Sequence, residues 1–557
     1  MEAIARVELH SDARLLSAAA CREHQADYMN VSTEASRGPT IPACAPARRY
    51  IPYLIFALCA SLYFVPIMRL LFVGSDEGTL VYGAVRVARG QVFARDFFEV
   101  VGPGTFYWLA LFFKLFGITF AATRICLFFT SLGTALTIYF LTRRVCRKFR
   151  PLPCIVLFGL SFGAAWPGIS HHTDSNFFAL LSVACVVLWQ DKRRASLLLA
   201  AGILAGVTMS IHWPKGLLLI AAILLWLLIE RRRSFASFAP IGQVLAGFCA
   251  AIAVVLGFFW SQGALWDLIY ANFVWPSRHY GAVNSVPYAQ GIIKDYWNQW
   301  AMGERAINWS KGIAAILITP FLFVAALPVI LLITGARQKW NPIKPDILLY
   351  WLCGWALWLS EFHRRDIYHL VLGAPLLIVL AVHLLGERRE QIAALALQTL
   401  AITATCLCCL NWLMVAIAAH SMMTRVGSVA MYKPDIILKF LDEHVSSGDE
   451  IFSYPYCPMY YFLSGGTNPT RYSFLMYNYN TASQFQDAIH TLDQRRTRYV
   501  VWNTTFQAKV AGTVFPASVS IPPDEQIMEP YLELHYTLLK EENGIRIMER
   551  KSEDHAN

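Results

Sequence analysis

Residues 120–150 read FAATRICLFFTSLGTALTIYFLTRRVCRKFR. An apolar run over Ala121–Leu141 is long enough to cross a bilayer as a helix. It is followed at once by Arg143, Arg144, Arg147, Lys148 and Arg150. A span with such a cationic exit is oriented by the excess of Lys and Arg that membrane proteins keep in their cytoplasmic loops. The same alternation repeats on both sides of this stretch. Apolar runs lie over Ile51–Val73, Leu152–Ile169, Asn176–Gln190, Ala195–Ile211, Gly216–Ile229, Pro240–Trp260, Gly312–Ile333, Asp346–Ser360, His369–Leu385 and Ile392–Ala419. Cations cluster in every second short loop, at Lys192–Arg194, Arg231–Arg233, Arg337–Lys344 and Arg388–Arg389. The opposite short loops hold only Lys215, Arg364 and Arg365.

The topology that follows has about eleven spans, with the amino end inside and the carboxyl end outside. Arg48 and Arg49 place the first span's entry inside, so it exits at Gly74. The Arg143–Arg150 loop must return inside, which leaves one crossing between them. Gly104–Phe116 is therefore expected to lie on the outer membrane face, where Tyr107 and Trp108 suit an interfacial helix.

Composition agrees. The chain has 557 residues, 56% hydrophobic and 15% charged, with a mean hydropathy of +0.44. A soluble domain carries about 25% charged residues. Disordered, fibrous and multi-domain soluble chains are excluded. The net charge of +10 belongs to cytoplasmic loops, and no nucleic-acid partner is expected. Thirteen cysteines are present. Most sit inside apolar runs as small hydrophobes, and only Cys457 falls beyond residue 420, so no disulfide is expected there.

Three domains are expected: a disordered cytoplasmic tail over 1–47, a transmembrane domain over 48–419 with outer loops 74–120 and 261–311, and an extracytoplasmic α/β domain over 420–557. The last alternates helical patterns such as Lys433–Glu443 with strand patterns at Glu450–Ser453 and Tyr499–Trp502. The tail does not read as a signal peptide.

Everything chemically notable falls on the outer side. Asp76 and Glu77 stand together where the first span leaves the membrane. Capping by Ser75 or Asp76 of a helix through Leu80–Ala88 explains one acid, but ionisable groups at a lipid boundary are often functional. Arg95 and Asp96 follow in the same loop. The second outer loop carries His171-His172-Thr173-Asp174. There Asp174 also reads as the cap of a helix starting near Asn176. Adjacent histidines diverge on a helix, so no metal ligands are assigned and a divalent cation is left open. Lys215 either snorkels to the interface or holds a lipid phosphate. Arg364 and Arg365 outside run against the charge rule. Either they favour bidentate phosphate contacts, or Glu361, Arg365 and Asp366 pair among themselves. The aromatic-rich loop 261–311 reads as an interfacial belt, a sugar-stacking surface or a lid over a lipid chain.

Taken in order, these motifs resemble the polytopic GT-C glycosyltransferases, most closely the bacterial family 39-like group of protein mannosyltransferases and aminoarabinose transferases. The resemblance rests on Asp76-Glu77, on Asp96 with Gly102-Pro103 and Tyr107-Trp108, and on Leu115-Phe116-Gly117 followed by Arg124. It also rests on His172 with Asp174, on Arg365-Asp366 with His369, on Gly448–Phe452 and on Tyr454-Pro455-Tyr456-Cys457-Pro458. Gly104 departs from the pattern, where relatives often carry Pro or Leu. The resemblance implies an enzyme of the cell (inner) membrane with a periplasmic or extracellular active site. It would move a sugar from a polyprenyl-phosphate donor to a lipid, glycan or protein acceptor. Asp76 is the implied general base. Glu77 would orient the acceptor or share the proton, and Asp174 would be the second acid. Lys215, Arg365 and His369 are candidates for the phosphate. Arg95, Asp96, Tyr107, His172 and Asp366 complete the expected binding residues. Direct displacement implies inversion at the anomeric carbon. A transporter or a non-catalytic binder of lipid-linked sugars is the alternative. A transporter favours mid-span charges and repeated halves, and the sequence shows few of the first and no sign of the second.

Overall fold

The computed structural model describes residues 46–71, 75–146, 150–164, 168–234, 237–280, 284, 286–290, 324–333, 344–387, 392–431, 433–506 and 526–552. The expected tail before residue 46 and the loop residues 291–311, with Tyr296, Trp297, Trp300 and Trp309, lie outside them. The chain divides into two units, residues 1–58 and 59–557. The first contributes the opening turns of the helix Pro46–Met68.

Five described helices are long and apolar enough to cross a membrane: Tyr50–Met68, Phe120–Val145, His171–Lys192, Trp213–Arg232 and Ala239–Ser261. Helices also occupy Leu152–Ala164, Ala195–Ile211, Pro345–Ser360 and Ile392–Ala418, close to the apolar runs read from sequence. The run expected as one span over His369–Leu385 is instead two helices, Ile367–Gly373 and Pro375–Glu387, bent by 72°. Pro375 explains the break, because it has no N–H to donate and its ring clashes with the preceding turn. Gly104–Phe116 is a helix of its own, as expected. The helices Ala195–Ile211 and Ala239–Ser261 cross closely. A Cβ on Gly202 would lie 2.0 Å from the Val244 carbonyl oxygen, and one on Gly247 would lie 2.1 Å from that of Leu199. Gly202 and Gly206 have the four-residue spacing of small residues that lets membrane helices touch backbone to backbone.

The C-terminal region carries the sheets. β1 (His420–Thr424) and β2 (Gly427–Met431) form a hairpin. β3 (Ile451–Tyr454), β4 (Tyr499–Asn503), β5 (Tyr536–Glu542) and β6 (Ile545–Arg550) form a four-stranded sheet in the order β3-β4-β6-β5. β3 pairs parallel with β4, and the remaining pairs are antiparallel. Asn543 and Gly544, both at positive φ, make the two-residue turn that a tight β5–β6 hairpin requires. The expected helix over Lys433–Glu443 begins later, at Ile436, because Asp435 caps it by accepting from Ile437 N and Leu438 N.

This region docks on the helix Asp76–Ala88. Tyr82 stacks on Tyr461 at 4.6 Å and accepts from Asn468 N at 2.7 Å. Arg86 donates to the Thr470 carbonyl and Arg471 to that of Ala94. Leu71 N donates to the Ala430 carbonyl. The closest approach is at Gly78, where an added Cβ would lie 2.5 Å from Met459 N.

That contact is backbone and cannot turn aside. Gly78→Ala is expected to lower stability by about 1–3 kcal/mol, as overpacking does, read as a fall in Tm of the detergent-solubilised protein. Gly242→Ala, where a Cβ meets nothing within 4 Å, should leave Tm unchanged.

Candidate active site

The helix Asp76–Ala88 starts at the two acids, and they have different surroundings. Ser75 occupies the cap position but makes no side-chain cap bond, so capping does not account for either carboxylate. Glu77 is buried. Arg124 donates to both of its oxygens, and Ile169 N donates to Oε1 at 3.0 Å. The Arg124 guanidinium lies 4.1 Å from the Phe120 ring centroid. Asp76 is half-buried and accepts from the Tyr456 hydroxyl at 2.5 Å. The two adjacent acids thus divide into an anchor and a group held at one oxygen by a phenol.

A second cluster gathers at helix ends. Lys215, on the first turn of Trp213–Ser234, is 0% exposed, which rules out snorkelling. Its Nζ donates to Ser175 Oγ at 3.0 Å and Asn176 Oδ1 at 2.9 Å, and it lies 2.7 Å from Glu361 Oε1. Glu361 Oε2 lies 2.9 Å from His172 Nδ1. Burial alone would raise the Glu361 carboxyl; His172 and Lys215 overcome it and hold the group well below the usual carboxylate range. Asp366 caps the helix Ile367–Gly373 by accepting from His369 N. The same oxygen faces His369 Nδ1 at 2.8 Å, and Oδ2 accepts from Arg364 Nε at 2.6 Å. Burial opposes ionisation here too, and His369 and Arg364 outweigh it. His363 is exposed at the surface, and its crowded surroundings lower the imidazole below its ordinary value.

An aromatic chain connects the two clusters. The Tyr456 ring packs on Phe474, Phe474 on Tyr479, Tyr479 on Tyr280, and Tyr280 on His363, with centroids 4.7–6.1 Å apart. Tyr280 lies within electrostatic reach of Arg364, Asp76, Asp366 and Glu361, and its hydroxyl is pushed up to about 12, mainly by burial. Glu99, buried in the first loop, is pushed up to about 8 by burial; Ser473 and Arg86 offset this only in part.

Of the residues expected from sequence, Asp76, His172, Lys215, Asp366 and His369 fall in these clusters. Asp174 is buried on the first turn of His171–Lys192 but is not its cap, because that helix begins at His171 and Ser170 accepts from His172 N. Arg95 and Asp96 clasp each other in the first loop, and Arg95 also donates to the Gln262 carbonyl. Tyr107 packs edge-on against Phe258 and Phe259. Arg365 is half-buried and lies 6.0 Å from the Phe362 ring centroid. The buried guanidinium is its neighbour Arg364, which also donates to Asn284 Oδ1. Pairing in that loop joins Arg364 with Asp366, while Glu361 turns to Lys215 and His172. Sequence reasoning missed Tyr456, Glu99, His212, Glu361 and His363 as site residues. The outer-loop position of Glu361 and His363 beside two exceptional arginines was the available signal. Two sets of side chains have metal-ligating atoms close together: His171, His172 and His212, and His212, Glu361 and His363.

Residues 100–258 match the sequence model of the dolichyl-phosphate-mannose-protein mannosyltransferase family. That stretch contains Tyr107, His172, Asp174 and Lys215, and it bears out the GT-C glycosyltransferase resemblance. No curated protein matches the chain. Among solved structures, ArnT from Cupriavidus metallidurans bound to undecaprenyl phosphate aligns with a TM-score of 0.45 at 12% identity, covering 90% of this chain and 98% of that chain. The apo state of ArnT from the same organism aligns with a TM-score of 0.42 at 11% identity, covering 89% and 97%. The chain is a multi-pass membrane protein, and its residues 100–258 are similar to a family of membrane glycosyltransferases.

Glu99 yields a pH signature. Its folded value of about 8 lies above the ordinary carboxyl value of 4.5, so the folded state holds a proton that the unfolded state releases. Stability therefore falls as pH rises between those values. Glu99→Gln is expected to match wild type below about pH 4.5, to gain in relative Tm up to about pH 8 and to hold that gain above it. Thermal melts across this range check it.

Proposed function

We propose that this protein transfers a sugar from a polyprenyl-phosphate carrier to an acceptor hydroxyl on the outer face of the membrane, with Asp76 as general base. The carrying observation is the half-buried Asp76 carboxylate. Tyr456 fixes one of its oxygens, and its helix is anchored through Glu77. The phenol donor holds Oδ1 and leaves Oδ2 for an acceptor hydroxyl. A base needs hydrogen-bond reach to the proton it removes.

The reaction is a single displacement. The acceptor oxygen forms a bond to the anomeric carbon and gives its proton to Asp76. The bond from that carbon to the phosphate oxygen breaks, and its electron pair leaves on the lipid phosphate. A phosphate is a good leaving group and needs no strong acid. It benefits from donors placed where its charge grows. Lys215, His369 and Arg364 supply them, with His172 and Asp366 orienting the cluster. Glu77 acts through Asp76 as a positioning residue. Asp174 is the second acid of the proposed cavity. Arg95, Asp96, Tyr107 and the half-buried Arg365 shape the loops around it. The lipid tail remains in the bilayer, and the C-terminal region, docked on the helix that bears Asp76, covers the site from outside.

The test is release of free polyprenyl phosphate from a mixed pool of polyprenyl-phosphate sugars, followed by mass spectrometry, with a cell-envelope extract as acceptor source. Asp76→Asn is expected to lower release roughly 10²–10⁴-fold. Tyr456→Phe should lower it less and leave the donor preference unchanged. Equal release from wild type and Asp76→Asn would remove Asp76 as the base. No release from any donor by folded, lipid-bound protein would favour transport or binding of the lipid-linked sugar.

A further inference from the structure

The charged groups of the second cluster are already balanced. Lys215 faces Glu361, and Arg364 faces Asp366. What remains is a group of imidazoles. His171 and His172 had been expected to diverge, yet their ring centroids lie 3.9 Å apart. His212, from the junction between Ala195–Ile211 and Trp213–Ser234, lies 5.7 Å from His171 and 5.3 Å from His172, centroid to centroid. One ring nitrogen from each of the three lies within 4.8 Å of the others.

We propose that His171, His172 and His212 bind one divalent transition-metal ion of the zinc class. Three imidazoles form a common protein ligand set for such an ion and leave a fourth tetrahedral position for water or an anionic oxygen. Zn–N bonds of 2.0–2.1 Å place tetrahedral nitrogens about 3.3 Å apart, so small side-chain rotations close the set. Two further observations point the same way. His212 Nδ1 is buried and makes no hydrogen bond among the described residues. His172 Nδ1 faces the Glu361 carboxylate, and a carboxylate on one ring nitrogen is the usual outer partner of a metal-bound histidine. His363 extends the group on the other side of His212, where His212, Glu361 and His363 also converge within 4.8 Å. Lys215 holds Glu361 in place and neutralises it, so the dication would be bound by neutral ligands without an unpaired carboxylate nearby. The site stands independently of the sugar-transfer reading.

The experiment uses full-length protein in detergent, stripped with chelator, incubated with excess zinc sulfate, desalted and analysed by plasma mass spectrometry. One equivalent of zinc is expected in wild type and in His444→Ala, a change at an exposed histidine. His171→Gln and His212→Gln should lose it, and Glu361→Gln should weaken binding by about 10–100-fold. Cobalt(II) provides a readout on the unaltered protein. Tetrahedral d–d absorption without a thiolate charge-transfer band is expected. Absence of bound zinc in wild type, a thiolate band, or undiminished zinc in the folded double variant His171→Gln/His212→Gln would overturn the proposal.

Discussion

The buried pair of Glu77 and Arg124 is the constraint on which the arrangement turns. It joins the start of the helix Asp76–Ala88 to the helix Phe120–Val145, and through Ile169 N to the segment leading into His171–Lys192. Removing one partner from such a pair costs about 3–5 kcal/mol, because the other charge is left buried alone. Gly168 reinforces the junction: a Cβ there would lie 2.8 Å from Glu77 Oε2. With Glu77 fixed, the preceding residue has little freedom, and Asp76 is held where Tyr456 reaches it. The backbone contact at Gly78 fixes the other side of the same turn against the C-terminal region.

A second constraint is electrical. Five titratable side chains, Lys215, His172, Glu361, Arg364 and Asp366, are buried at neighbouring loop ends, where isolated charges are costly. Each charge in that group has an opposite partner at 2.6–2.9 Å or an imidazole beside it. A phosphate bound there, as the proposed function requires, would share donors that are already oriented and would not meet a free cation. The aromatic chain from Tyr456 to Tyr280 and His363 runs from the Asp76 cluster to the Arg364–Asp366 cluster.

Much of the helical scaffold was legible because a membrane span must be apolar along its length and its loops carry the orienting charges. The helix Ala195–Ile211 has the bounds read from sequence. The break at Ala374–Pro375 was missed, although Pro375 announced it, because hydropathy alone does not register a lost hydrogen bond. Asp76 and Lys215 were legible as charges out of place, and His369 only through the family resemblance. Their partners were less so. Choosing between Arg364 and Arg365 depends on which side of one turn each faces, and periodicity cannot decide that in a loop. Tyr456 lies 380 positions from Asp76, and no local pattern foretells such a contact. The convergence of His171 with His172 depends on the side-chain rotamers each adopts, which sequence does not specify.

The proposed reaction is direct displacement at the anomeric carbon, with Asp76 taking the proton. The most direct measurement is the anomeric configuration of the product, determined by NMR, from a polyprenyl-phosphate sugar of known configuration that the protein consumes. Inversion is predicted. Retention would contradict the claim, since it requires a covalent sugar–protein intermediate and a nucleophile in place of a base.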